Sequence, residues 1–116
     1  MVVASRRGIA LGTRARRGVP RKHLVSGLMG GSRFFRLRKS LEVSESRADG
    51  VWIERCHLLG IHAFGETREE AWQAFIELFE ADWDLLAQEK DAKLSSGAQQ
   101  LKRRYLELVE SVELAL

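Results

Sequence analysis

Phe35, Leu37, Leu41 and Val43 share one parity, broken only by Lys39, while Arg36, Arg38, Ser40, Glu42 and Ser44 fill the other. Alternation of this kind predicts a half-buried strand with one wet face. Asp49-Gly50 follows. This pair accommodates positive φ at both central positions of a type I′ turn, so a hairpin is expected. The return strand is read over 51–57, rich in large apolar residues at Val51, Trp52 and Ile53, and a short third strand over about 60–64.

The period then changes from two to between three and four. Thr67 and Glu70 have the spacing of a capping box, in which each side chain satisfies an orphan amide of the first turn. Ala71, Trp72, Phe75, Ile76, Phe79, Trp83 and Leu86 form a stripe wide enough to cover one face of a sheet. This helix is expected to reach 88–90. Ser96 and Gln99 suggest a second capping box, opening a helix whose apolar face is Leu101, Tyr105, Leu108, Val109 and Val112. Its bases precede its acids, against the helix dipole, so its stability must come from packing.

Charge divides the chain. Residues 1–40 carry nine Arg and two Lys and no acid, giving +11; residues 41–116 carry −8, and together they make the net +3. An argument from overall charge to nucleic-acid binding would therefore mislead. The leader, 1–32, holds scattered apolar residues among glycines and the lone Pro20. It is expected to be disordered, because little apolar surface is available to offset ordering entropy. Three readings of it stay open: a non-native extension ahead of a start at Met29, a basic arm contacting phosphates through Arg14, Arg16, Arg17, Arg21 and Lys22, and an Arg-rich transit peptide.

The length of 116 residues suits one domain, and a single Cys excludes a stapled secreted scaffold. No run of apolar residues approaches a membrane span. The expected organisation is a leader over 1–32, a β-β-β-α domain over 33–90, and a linker with a C-terminal helix over 91–116. The fold class is α+β, with a three-stranded antiparallel sheet packed by one long helix. A body this short with three Trp is expected to cover its apolar surplus as a homodimer or against a partner.

Candidate chemistry is sparse. Glu42, Glu45, Asp49 and Glu54 are carboxylates near the hairpin, with no second one forced to converge on Glu54, so solvated acids are expected. Cys56 and His57 are adjacent on a strand and point to opposite faces, so a shared ion or a nucleophilic pair is not expected, and Cys56 reads as a small buried side chain. No metal, cofactor or catalytic set is assigned. Trp52 has the opposite parity to Val51 and Ile53, so one of the two sets faces away from the helix and leaves an apolar surface for a partner.

Residues 51–71, VWIERCHLLGIHAFGETREEA, resemble the HicB-like antitoxin family through Asp49-Gly50, Trp52, Cys56, Gly60, Gly65, Glu66, Thr67, Glu70 and Ala71. The resemblance covers about 35–87. It departs at His57, where the family usually has Pro, and no DNA-binding module is read after the helix. It implies a degenerate RNase H-like fold and a non-enzymatic cytoplasmic antitoxin that masks a small, basic, RNA-cleaving toxin. The contact surface is then expected at Trp52, Glu54, Arg55 and His57, with Glu42 a lesser candidate. The alternatives are a nucleic-acid-binding or regulatory protein using the basic arm, and a structural dimer.

Overall fold

The computed structural model describes residues 20–114. Five strands and two helices follow in the order β1 (Arg21–Gly30), β2 (Arg33–Ala48), β3 (Val51–Cys56), β4 (Ile61–Gly65), α1 (Arg68–Leu86), α2 (Ser96–Leu108) and β5 (Val109–Leu114), with a 3-10 turn at Asp91–Lys93 before α2. The class is α+β and every strand pairing is antiparallel. The sheet runs β1-β2-β3-β4, and β5 also pairs with β2. It therefore has five strands among the described residues, not the three expected.

The 16-residue β2 explains how five strands fit. One edge pairs with β1 along nearly its whole length. The other edge is shared: Ser44–Ala48 pair with β3, while Arg33–Leu37 pair with β5. Lys39, which breaks the alternation, lies in a bulge. Val25 pairs with Leu41 and Gly27 with Arg36, so Ser26 alone spans residues 37–40. The extra residues bend the ladder, and Lys39 is exposed there.

The expectation of a disordered leader over 1–32 is overturned for its second half. Residues 21–30 form β1, and Val25 and Leu28 enter the core. Its basic side chains Arg21 and Lys22 are exposed, so a positive strand satisfies its polar groups at the rim while its apolar positions go inward. Arg14, Arg16 and Arg17 lie outside the described residues. The C-terminal helix also ends earlier than expected. Val109 and Val112 belong to β5 and not to the apolar face of α2. Arg38 of β2 donates to the carbonyls of Glu107 and Val109 at 3.1 Å each. It supplies the positive group that the C-terminus of α2 lacks in its own last turn.

The local turns follow the sequence closely. Asp49 and Gly50 have φ of 53° and 77°, and Gly60 has φ of 67°. Thr67 caps α1, with the Glu70 N–H donating to its Oγ1 at 3.0 Å. Glu70 Oε1 in turn accepts from the Glu66 N–H at 2.9 Å, one residue earlier than the ideal box. Gly65 is required because a Cβ there would collide with the backbone nitrogen of Ala71. The second cap is Ser95, not Ser96: its Oγ accepts from the Ala98 N–H at 3.2 Å. Gln99 turns its amide to the carbonyls of Asp91 and Leu94.

Both helices cover one sheet face, and their contact with it is a ladder of rings. Phe35 meets Phe79 edge-on at 5.2 Å, and Phe79 meets Tyr105 at 5.1 Å. The buried Tyr105 hydroxyl donates to Asp82 at 2.9 Å, and burial pushes its ionisation well above the usual range. Trp72 stacks on Phe75 at 5.1 Å, and Trp83 stands edge-on to Phe35 at 6.0 Å.

A chain beginning at Met29 would lack Val25, Leu28 and most of the β1–β2 ladder. We expect it to melt far below the full chain, or to show no cooperative transition, by far-UV circular dichroism. Leu28→Ala alone should cost about 2–5 kcal/mol. A truncated chain as stable as the full one would show that β1 is not part of the folded unit.

Candidate functional site

A row of side chains crosses the helix-facing side of the sheet. Arg21 pairs with Glu45, Glu45 with Glu54, and Glu54 with Ala63. Glu45 continues the inward parity of Leu41 and Val43, and Glu54 that of Cys56. Both carboxylates therefore point to the side that α1 covers. Beside the first turns of α1 the sheet edge leaves an open pocket of about 620 Å³. Arg21, Lys22 and His23 line it from β1, Glu45 and Glu54 from β2 and β3, and Arg68, Glu69 and Trp72 from α1.

Glu54 is fully buried. Its Oε1 lies 3.2 Å from His23 Nε2, and its Oε2 has no hydrogen-bond partner among the described residues. The Arg68 Nε lies 3.2 Å from Glu45 Oε1, and the same guanidinium sits over the Trp52 ring at 4.7 Å. Trp72 tilts against the His23 imidazole with centroids 5.7 Å apart. Burial, and then the neighbouring Glu45 carboxyl, push the Glu54 acid from its ordinary 4.5 up to about 8. Two apposed carboxyls cannot both ionise cheaply. The group can hold one proton between its acids, or ligate a cation through one nitrogen and two carboxylates.

The expected contact residues do not form one surface. Glu54 is not exposed, which removes it from any docking role. Trp52 shares its parity, is half-buried, and lies under the guanidinium groups of Arg47 and Arg68. Arg55 lies on the opposite, open sheet face, and His57 is exposed in the turn after β3. The expectation that no carboxylate converges on Glu54 is also overturned, by Glu45. The register explains it: a two-residue turn that pairs Ala48 with Val51 necessarily pairs Glu45 with Glu54. Glu42 is exposed and pairs with Lys22 at 3.1 Å. Cys56 is buried, and burial raises its thiol above the ordinary value, as suits an inert side chain. His62 is exposed on the outer face of β4, away from Cys56.

Two other surfaces carry apolar groups. α1 has six acids against Arg68, and its outward stripe of Glu77, Leu78, Ala81, Asp84 and Leu85 is exposed. Arg33 spans Glu80 and Asp84 at 3.0 and 2.8 Å and neutralises part of that charge. The sheet face away from the helices exposes Leu24, Met29, Val51 and Phe64, interleaved with Arg36 and Arg55.

Folded Glu54 keeps its proton to about pH 8, whereas the unfolded acid loses it near 4.5. The folded state thus binds more protons between those values, and stability falls as pH rises through that window. Glu54→Gln keeps the shape and cannot ionise. In metal-free buffer the variant should lose this pH slope and gain roughly 3–4 kcal/mol over the parent at pH 8 relative to pH 5. Thermal melts at the two pH values measure it, and an unchanged slope would assign the effect elsewhere. Comparison of the chain with protein-family models, with curated proteins and with solved structures finds no significant match.

Proposed function

We propose that this chain is a non-catalytic binding protein of the HicB-like antitoxin kind, which covers a small, basic, RNA-cleaving protein. The observation that carries the reading is the outward stripe of α1, where Leu78 and Leu85 stand exposed on the most acidic element of the fold. An exposed apolar pair set in negative charge suits a partner that is basic because it binds RNA, and the charge would speed encounter. Further support lies in the elements on which the resemblance rests: the Asp49-Gly50 hairpin, the Gly60 turn, and the Gly65-Glu66-Thr67 entry into α1. The contact surface in this reading moves from β3 to α1. The mechanism is steric: an acidic helix occupies the surface that the partner would offer to RNA.

A second reading, nucleic-acid binding, is favoured by the open sheet face. Phe64 offers an exposed ring, the half-buried Phe34 lies under the Arg36 guanidinium, and Arg55 adds positive charge on the same face. Aromatic and cationic groups interleaved on a sheet form a stacking platform for single strands. In this reading Arg21 and Lys22 act from the β1 edge, not from a free arm.

The full chain should be co-expressed with the product of a neighbouring short, basic, His-containing reading frame, and the complex pulled down at moderate and high salt. A stoichiometric complex that relieves that product's growth inhibition, and that Leu78→Lys with Leu85→Lys abolishes, is the expected result. A chain that retains no protein but binds single-stranded RNA with a steep salt dependence, lost with Arg55→Ala and Phe64→Ala, would replace the first reading by the second.

A further inference from the structure

The cavity between β1, β2, β3 and the start of α1 contains a group that the binding surfaces do not use. His23, Glu45 and Glu54 come from three adjacent strands, and one ligand atom from each lies within 4.8 Å of the other two. Three neighbouring strands of one ladder hold these side chains on a rigid base. Ligand bonds of about 2.0–2.2 Å place neighbouring donors about 3–3.5 Å apart around one ion. Closing the difference takes a small inward shift of side chains that already face a common space.

Glu54 supplies the independent sign of a ligand. Its side chain is fully buried, one oxygen is partnered by His23, and the other has no partner among the described residues although the residue lines the cavity. A buried acid oxygen without a partner, beside a second acid, is costly to keep whether the acid holds its proton or loses it. A cation seated there would satisfy it.

We propose that His23, Glu45 and Glu54 bind one divalent transition cation of the Mn2+ or Zn2+ class, with water from the cavity completing its shell. One imidazole nitrogen and two carboxylates favour such ions over Mg2+ and Ca2+, which prefer oxygen-only sets. The cavity also brings opposing charge. Arg68 holds one oxygen of Glu45 and Arg21 lines the space from β1, while the Lys22 ammonium is engaged by Glu42 and Glu69 is the remaining acid. The ion therefore takes the free oxygen of Glu45, or displaces Arg68 onto the Trp52 ring it already covers. The ion ties β1 to β3 across β2, so binding stabilises the fold. The three ligand residues lie outside the α1 stripe and the open sheet face, so the site stands whichever partner reading holds, although the second reading shares Arg21 at its rim.

The test is a titration of the full chain, stripped with chelator, with Mn2+ followed by the spin-resonance signal of free ion, and with Zn2+ followed by thermal melting. One ion per chain and a raised melting temperature are expected. Glu54→Gln and His23→Gln should each weaken binding by at least roughly tenfold, while Glu42→Gln, which alters an exposed acid outside the cavity, leaves it unchanged. Bound Mn2+ should also quench Trp72 fluorescence, a readout that does not depend on the variants. Mg2+ should compete poorly. Absence of binding at millimolar Mn2+ and Zn2+, or binding that Glu54→Gln leaves intact, overturns the proposal.

Discussion

The edge-on contact of Phe35 with Phe79, continued by Tyr105, holds the molecule together. Phe35 sits where β2 is flanked by β1 on one side and β5 on the other, opposite Leu28 and Val112. Phe79 lies midway along α1 and Tyr105 near the end of α2, and all three are fully buried. One line of rings therefore joins both helices to the strand that organises the sheet. Removing it would loosen α2 and β5, leaving Leu108 and Val109 in the core, the Arg38 and Arg104 hydrogen bonds and the short β5 ladder to hold them.

The cavity follows from the same packing. α1 is held against the sheet by its rings at Phe35 and by the close approach of Ala71 to Gly65, and the pocket opens between its first turns and β1. An apolar residue in place of Glu54 would simply extend the core. Instead the fold keeps a buried acid with one open oxygen, next to another acid and an imidazole. The site is thus the point at which a well-packed apolar layer gives way to charge. A proton or a cation must neutralise that charge.

Elements set by local rules were legible in the sequence. The strand alternation over 35–43, the positive φ of Asp49 and Gly50, and the Thr67 cap each depend on a few adjacent residues. β1 was not legible, because Gly27, Gly30 and the Ser26 bulge break its alternation and its pairing depends on a distant partner. β5 was hidden because Leu108 and Val112 are four residues apart and continue a helical stripe on paper. Arg38, 69 and 71 positions upstream of the carbonyls it binds, fastens the point where the helix stops. The two carboxylates of the site were within reach: the Asp49-Gly50 turn sets the register that pairs Glu45 with Glu54, and the burial of Cys56 marks Glu54 as inward. His23 was not, since nothing near it signals a strand.

The most direct measurement is a crystal structure of the full chain grown with Mn2+, with diffraction data collected to locate the ion by anomalous scattering. One strong peak is expected, bonded to the His23 imidazole and to the Glu45 and Glu54 carboxylates, with Glu54 Oε2 on the ion. A cavity without a peak, in which Glu54 Oε2 is satisfied by a proton shared with Glu45, would contradict it.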